Sequence, residues 1–236
     1  SLCLGRGSRE TYREAEFALR RTLQANSREP LRFFDPSLWG VIESEMQLRA
    51  AAERALTEAR LALHFQPVVG PDGKALSAEG LLRWPGRPVD SPPIGPMQII
   101  EALEACGKLD AFTDWCVDQA LQAINRLDQQ GLRLPSVAVN VDAKALMRDD
   151  FADRVQTLLT KRDVSSYRLT IELTEHAVVN DFGRAQARMG ELEALGVVLV
   201  QDDFGTGHAS LSTLHKLPFK ALKIDRSFVA EMATDE

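Results

Sequence analysis

Two adjacent carboxylates, Asp202 and Asp203, directly follow the apolar stretch V-V-L-V-Q and precede the glycine-rich sequence F-G-T-G. Adjacent side chains on a strand point to opposite faces of a sheet, so we do not expect both carboxylates to face one core. A strand that ends in a carboxylate pair and a tight turn is suited to binding cations at its carboxyl end. The alternative is that Asp202 or Asp203 caps the helix that follows.

Four further polar residues lie in or at the ends of other apolar segments with a strand pattern. Asn140 follows V-A-V, Glu172 follows L-T-I, Lys223 lies in A-L-K-I-D, and Glu79 lies in A-E-G-L-L. The intervals from Asn140 to Glu172 and from Glu172 to Asp202 are 32 and 30 residues. A barrel of eight βα units repeats every ~31 residues. We therefore expect these four side chains and that of Asp202, one from each of five strands, at the carboxyl-terminal mouth of one barrel.

Taken singly, each of these residues has a structural explanation. A buried Asn is usually a satisfied hydrogen-bonding group, and Glu172 and Lys223 could form a structural ion pair. Five polar residues in phase favour a functional site, because each would carry a burial penalty without a purpose. Carboxylate and amide oxygens suit Mg²⁺ or Mn²⁺ better than Zn²⁺. Adjacent carboxylates can serve one or two ions, an arrangement that hydrolyses phosphodiesters.

Alternating strand and helix patterns supply the frame for these residues. Strands are predicted at 61–69, 74–84, 137–142, 167–173, 197–201 and 219–225, and helices at 9–25, 38–60, 97–105, 111–127, 149–160, 183–195 and 210–216. The P-D-G turn at 71–73 predicts that the first two strands pair antiparallel. The later alternation predicts a parallel sheet with helices outside it, which is an α/β fold.

Composition and charge exclude several classes of protein. The net charge is −6, and 26% of the residues are charged, so no basic field is available for a DNA or RNA polymer. The sequence has neither an apolar run of transmembrane length nor a signal peptide, so we expect no membrane contact by this segment. The three cysteines have no metal-type spacing. We expect a cytoplasmic location, either alone or as the cytoplasmic part of a larger, membrane-attached protein.

The motifs resemble those of the EAL-domain family, cyclic di-GMP phosphodiesterases with a modified TIM barrel. The resemblance rests on F-Q-P-V-V at 65–69, A-E-G-L-L-R-W at 78–84, V-N-V at 139–141, I-E-L-T-E at 171–175, D-D-F-G-T-G at 202–207, L-P-F at 217–219 and L-K-I-D-R-S-F-V at 222–229. It implies a TIM-like (β/α)8 barrel with an antiparallel strand near its start.

The resemblance also implies a role for each polar residue. One Mg²⁺ or Mn²⁺ ion would be bound by Glu79, Asn140, Glu172 and Asp202. Asp203 would bind a second ion, Lys223 would hold or activate the attacking water, and Glu175 would keep the loop after Asp202 in place. The implied reaction is attack of activated water on one phosphodiester of cyclic di-GMP, which gives linear pGpG.

Three residues are implied on the substrate side. Gln66 and Arg83 match positions that contact the dinucleotide, and Arg83 suits a phosphate or a guanine edge. Asp225 is expected in the same site. Two positions depart from the family pattern: Gly80 stands in place of Ala, and His208 stands in place of Tyr. Neither change removes a ligand.

The resemblance covers residues 45–236, the expected EAL domain. Residues 1–44 are expected to be an N-terminal segment or linker, and the runs A-E-F-A-L and F-F-D loosely resemble the tail of a GGDEF domain. Only six of eight barrel strands are counted, so we expect the last strands, with a general-base glutamate, after residue 236. A homodimer is also expected.

Three functions compete at this point. The first is metal-dependent hydrolysis of cyclic di-GMP, and the second is a catalytically inactive receptor for the same ligand. The third is another Mg²⁺-dependent barrel enzyme, such as an enolase-type lyase, which the EAL motifs oppose. Degenerate members of the family usually lose metal ligands. This chain keeps every metal-ligand residue that falls within its length, so the enzyme is favoured over the receptor.

Overall fold

The computed structural model describes residues 39–85, 94–174, 181–205 and 215–231. The helix predicted at 9–25 and most of the one predicted at 210–216 lie outside these ranges. The chain divides into two compact units, residues 1–51 and 52–236, and the predicted domain boundary between residues 44 and 45 stays a prediction. None of the described helices combines the length and the apolar character needed to cross a membrane.

The strands in the described part of the chain are β1 (Ala62–Val69), β2 (Ala75–Arg83), β3 (Val137–Asn140), β4 (Leu169–Thr174), β5 (Val198–Phe204) and β6 (Ala221–Ile224). The helices are α1 (Trp39–Thr57), α2 (Pro96–Ala105), α3 (Leu109–Gln129), α4 (Ala143–Leu146), α5 (Phe151–Arg162), α6 (Phe182–Ala194) and α7 (Arg226–Glu231). A short 3₁₀ turn, Ser166–Arg168, precedes β4.

One sheet contains the six strands in the order β1-β2-β3-β4-β5-β6. β1 and β2 pair antiparallel, as the short turn between them predicted, and β2 to β6 pair parallel. Parallel neighbours need a crossover long enough to hold a helix, and α3, α5 and α6 lie in three of the crossovers. The sheet therefore has its five parallel strands aligned with their carboxyl ends at one edge.

The core fills the space between the sheet and these helices. β3 and β4 are almost continuously buried and contribute Val137, Val139, Ile171 and Leu173 to it. The helices contribute apolar residues at helical spacing, among them Val117, Leu121, Ile124, Val155, Leu159, Met189 and Leu192. Each such side chain contributes about 1.5–3 kcal/mol when it is fully buried. This packing makes the sheet a rigid support for the residues at its carboxyl edge.

Two local features differ from the sequence-based expectation. The four-residue helix α4 was not predicted, because it is too short to show a periodic pattern; Asp142 caps it by accepting the backbone N–H of Lys144 at 2.7 Å. β5 was predicted to end at Gln201 but continues to Phe204. The carboxylate pair therefore lies within the strand rather than after it.

Candidate metal centre

Strand register brings four of the predicted residues to one face of the sheet. Asn140 on β3 pairs with Glu172 on β4, while Glu79 on β2 lies opposite Ala138 and Asp202 on β5 lies opposite Thr174. Glu79 is therefore offset by two residues from Asn140, and Asp202 by two from Glu172. An even offset, or none, keeps side chains on the same face. A stagger between neighbouring strands is what a barrel requires.

Lys223 on β6 connects the acidic residues. Its Nζ donates to Glu79 Oε2 and to Glu172 Oε2 at 2.7 Å each, and it lies 3.4 Å from Asp202 Oδ1. Asn140 Nδ2 donates to Glu79 Oε1 at 2.9 Å. Side chains that are up to 144 residues apart in sequence therefore form one hydrogen-bonded cluster.

The cluster is partly shielded from water. The side chain of Glu172 is 4% exposed, those of Glu79 and Asp202 are 18% exposed, and that of Lys223 is 31% exposed. Glu172 and Lys223 do form the ion pair that could have explained both residues structurally. Lys223, however, also contacts the carboxylates of Glu79 and Asp202. A structural pair would need only one.

Burial and hydrogen bonding act differently on the two glutamates. Desolvation opposes ionisation of Glu79, but hydrogen bonds from Lys223 and Asn140 outweigh it and lower the pKa of this carboxyl. Desolvation dominates at Glu172 and raises its pKa to about 7 in spite of the bond from Lys223. Desolvation also opposes the charge on Lys223, yet hydrogen bonds to Glu172 and Glu79 raise the pKa of its ammonium.

A β-bulge places Asp203 near the same cluster. Gln201 pairs with Leu222 and Phe204 pairs with Ile224, so two residues of β5, Asp202 and Asp203, lie opposite one residue of β6. Asp203 has φ +53°, in the left-handed region that non-glycine residues rarely adopt. The bulge interrupts the strict alternation assumed for this strand. Asp203 is exposed and Asp202 is half-buried, so the two carboxylates do not share one core, as expected.

Charges around Asp203 confirm that it lies near acidic neighbours. Its carboxyl is exposed, and its pKa is raised by desolvation and then by the charges of Asp202 and Asp225. A carboxylate whose ionisation is opposed by neighbouring negative charges is stabilised by a cation beside it. Asp203 therefore lies near the acidic cluster, where its negative charge is opposed by that of Asp202.

The donor set fits a divalent cation. Glu79, Glu172 and Asp202 each offer one carboxylate oxygen, and these atoms lie within 4.8 Å of one another. Three ionised carboxylates and the one ammonium of Lys223 leave a formal charge of −2, which a divalent cation would neutralise. The ligands are all oxygen atoms, and hard cations such as Mg²⁺ and Mn²⁺ prefer them.

The predicted substrate residues lie at different places around the cluster. Gln66 on β1 pairs with Glu79 in the β1–β2 ladder, so the two share a face, and Gln66 is exposed. Arg83 ends β2, is exposed, and donates through Nη1 to the carbonyl of Leu82 at 2.8 Å. Glu175 lies outside the described residues.

The carboxylate of Asp225 is engaged in a local bond. It accepts the backbone N–H of Ser227 at 2.9 Å and also contacts the Ser227 hydroxyl. The Ser227 hydroxyl bond is the main reason that the pKa of Asp225 is lowered. Asp225 therefore stabilises the first turn of α7, a contact that the spacing D-R-S could have indicated, since Asp commonly accepts N–H groups at helix starts.

The comparisons with known proteins agree with this geometry. The family model of the EAL domain matches residues 49–236. The cyclic di-GMP phosphodiesterase NbdA of Pseudomonas aeruginosa is 33% identical over 233 residues, which are 98% of this chain and 29% of that protein. The bifunctional diguanylate cyclase/cyclic di-GMP phosphodiesterase MucR of the same organism is 32% identical over 86% of this chain and 30% of its own length.

Solved structures match as well. The phosphodiesterase PaMucR, in a complex with c-di-GMP, is 34% identical and superposes with a TM-score of 0.72 over 80% of this chain and 76% of that chain. The FimX EAL domain of Xanthomonas citri, also in complex with c-diGMP, has a TM-score of 0.72 at 19% identity, which supports the fold alone. The chain spans less than a third of the two curated relatives, and its sheet is part of a TIM-like α/β barrel.

Proposed function

The chain belongs to the EAL domain family, and on that premise we propose that it hydrolyses cyclic di-GMP to linear pGpG with divalent cations. The observation that carries the proposal is the cluster in which Glu79, Glu172 and Asp202 share Lys223. Three carboxylates around one ammonium are unfavourable as a structural device. They suit a site that binds a cation and then a phosphodiester.

We assign the cation ligands from this cluster. Glu79, Asn140, Glu172 and Asp202 would hold one Mg²⁺ or Mn²⁺ ion, and Asp203 would hold a second. Bound cations of this kind lower the pKa of water and neutralise charge on a phosphodiester under attack. The hydrogen bond between Asn140 and Glu79 keeps the two side chains adjacent, so their oxygen atoms need little rearrangement to face a common ligand.

Lys223 is the catalytic cation that the chain itself supplies. Its bonds to Glu79 and Glu172 hold the ammonium at the carboxyl edge of the sheet. There it can donate a hydrogen bond to the attacking water or to a phosphate oxygen that gains charge. Its raised pKa keeps it protonated at neutral pH, so in this role it orients and stabilises rather than removing a proton.

Gln66 and Arg83 would bind the dinucleotide. Gln66 lies on the same face as Glu79, and Arg83 is exposed at the end of β2. An acidic site repels a substrate that carries two phosphates, so a guanidinium close to the rim offsets part of that repulsion. Glu175 and Asp225 would support the loops around the site. A homodimer and a cytoplasmic location remain predictions.

The test is hydrolysis by the full-length protein. The protein is incubated with cyclic di-GMP, with Mn²⁺ or with a chelator, and the products are separated by chromatography. We expect pGpG only with the cation. We expect Glu79→Gln to slow hydrolysis about 1,000-fold, which corresponds to about 4 kcal/mol of transition-state stabilisation. The matched control is Glu101→Gln, at an exposed glutamate of α2, which should hydrolyse at the wild-type rate.

Two results would contradict the proposal in different ways. Tight binding of cyclic di-GMP without product, with every cation supplied, would favour the receptor function. Undiminished hydrolysis by Glu79→Gln would remove the carboxylate cluster from the reaction.

A further inference from the structure

The ring of Phe228 packs on the backbone of Gly205, directly after the carboxylate bulge. A Cβ built on residue 205 would lie 2.6 Å from Cε2 and 2.8 Å from Cζ of Phe228, so the ring occupies the space that any side chain would need. Gly205 also has φ +103°, which L side chains rarely adopt. Phe228 is 51% exposed, so this contact lies apart from the hydrophobic core.

Hydrogen bonds join the same two segments. The backbone N–H of Asp225 points to the carbonyl of Phe204 at 3.4 Å, and Phe204 pairs with Ile224 at the end of the bulge. Asp225 in turn accepts the N–H of Ser227 through its carboxylate at 2.9 Å and that of Phe228 through its carbonyl at 3.2 Å. The start of α7 is therefore fixed to β6, and Phe228 is held over the turn.

The turn needs such support. Asp203 and Gly205 both have positive φ, and a non-glycine residue in that region costs on the order of 1 kcal/mol and persists only where its surroundings hold it. Glycine at 205 has the widest choice of alternative backbone conformations. Without a group packed on Gly205, the backbone of the bulge could adopt other conformations, and this change would move Asp202 and Asp203.

We propose that Phe228 is a positioning residue of the metal centre, whose ring holds the bulge at Asp202 and Asp203 in the conformation that binds cations. The inference rests on the proposed function. Phe228 packs on the backbone of Gly205 and would act through it. Its effect should therefore appear in cation affinity and in the rate that depends on it, and much less in the binding of the dinucleotide by Gln66 and Arg83 on β1 and β2.

The experiment measures Mn²⁺ binding directly, by the electron paramagnetic resonance signal of the free ion, in the full-length protein. Phe228→Ala should weaken binding about 10-fold, the lower range for residues that orient metal ligands. Phe228→Leu, which still covers Gly205, should restore most of the affinity. Val229→Ala is the matched control, because Val229 is the exposed neighbour on α7 and should bind Mn²⁺ as the wild type does.

Two further readouts separate positioning from folding. With the chelator present, the unfolding temperature of Phe228→Ala should lie within about 2 °C of that of the wild type, because substitutions at the surface usually change the free energy of unfolding by no more than about 0.5 kcal/mol. With saturating cyclic di-GMP, the Mn²⁺ concentration for half-maximal rate should rise about 10-fold, while KM for the dinucleotide changes less than about two-fold. Wild-type Mn²⁺ affinity in Phe228→Ala, or equal losses in Phe228→Ala and Val229→Ala, would overturn the inference.

The outcomes also distinguish this inference from the proposed function. If the wild type binds Mn²⁺ and hydrolyses cyclic di-GMP but Phe228→Ala is unaffected, only the role of Phe228 is wrong. If the wild type binds no Mn²⁺, both proposals are wrong. If Phe228→Ala proves unstable, Phe228→Val takes its place, because the shorter side chain also leaves Gly205 uncovered. Weakened Mn²⁺ binding at wild-type stability then supports the ring contact, and wild-type affinity opposes it.

Discussion

Two aspartates on helix α3 each pair with an arginine of α5, whereas three carboxylates at the sheet edge share one ammonium. Asp118 on α3 accepts two bonds of 2.7 Å from Arg162 on α5. One helical turn earlier on α3, Asp114 accepts Arg154 at 3.0 Å. At the edge of the sheet, Lys223 serves Glu79, Glu172 and Asp202 together.

The same residue types therefore have opposite consequences in the two regions. Bonds from Arg162 lower the pKa of Asp118, so ionised Asp118 stabilises the contact between α3 and α5. Burial raises the pKa of Glu172 to about 7, so ionised Glu172 weakens the fold. Proteins commonly keep locally unfavourable arrangements where a ligand must bind. The contrast supports the proposal that the sheet edge is the site and the helix pairs are scaffold.

The strongest way to break this comparison is to neutralise one carboxylate in each region. Glu172→Gln should slow hydrolysis about 1,000-fold and, in the presence of a chelator, raise the free energy of unfolding by about 1 kcal/mol, because a neutral amide is cheaper to bury. Asp118→Asn should leave hydrolysis unchanged. Steady-state kinetics and urea unfolding on both variants provide the check. A Glu172→Gln protein that loses stability would mean that the cluster is scaffold after all.

Removing the shared ammonium should have the next largest effect. Lys223→Met leaves three carboxylates facing one another and should lower the free energy of unfolding by about 2 kcal/mol, a value reduced from that of a fully buried pair because Lys223 is partly exposed. Mn²⁺ should restore part of the lost unfolding free energy, because the ion supplies the missing positive charge and binds only the folded state. Urea unfolding with and without Mn²⁺ measures both effects.

Lys220→Met is the control for that loss. Lys220 pairs with Glu193 at 2.6 Å, but its side chain is 58% exposed, so its removal should change stability by less than about 0.5 kcal/mol. Equal losses in the two lysine variants would show that the acidic cluster is no more strained than the surface.

The ion pair between α3 and α5 should make a pH-dependent contribution to stability. Asp118→Asn should cost about 1 kcal/mol of unfolding free energy at neutral pH, because Arg162 loses a charged partner. The folded-state pKa of Asp118 is lowered, so this stabilisation is complete above the ordinary value of about 3.9 and is lost as pH falls through the lowered pKa. In urea unfolding from pH 7 to pH 3, the difference in unfolding free energy between wild type and variant should stay constant down to about pH 4 and narrow below it. A constant difference at all pH values would remove Asp118 ionisation as the cause.

Gly80→Ala should have the smallest effect. A Cβ at this position would lie 3.1 Å from Leu63 Cδ1 and 3.3 Å from the carbonyl oxygen of Ala138. This crowding opposes the gain of about 0.5–1 kcal/mol from replacing glycine in a strand. The net change in stability should therefore stay below about 0.5 kcal/mol, and hydrolysis should be unchanged, because the adjacent Glu79 points to the other face. A large loss of activity would show that β2 cannot shift without disturbing the cluster.

Much of the frame could be predicted from the sequence. Period-two and helical apolar patterns report which face of each segment is buried, and the strands from β1 to β6 all lie where such patterns placed them, within a few residues. Boundaries were harder to predict where polar residues continue a strand, as at Asp202 and Asp203, or where an element is too short for a pattern, as in α4. The roles of the site residues remain predictions for the experiments above.

The sequence by itself determined which polar residues sit on strands and how many residues separate them, because apolar periodicity and repeat length are local properties of the chain. Only the tertiary structure decided that Lys223 bonds Glu79 and Glu172 at once, that β5 bulges at its carboxylate pair, and that Phe228 covers Gly205. These contacts depend on strand register and on small shifts between neighbouring strands. Such shifts come from the packing of the whole sheet, which no single segment encodes.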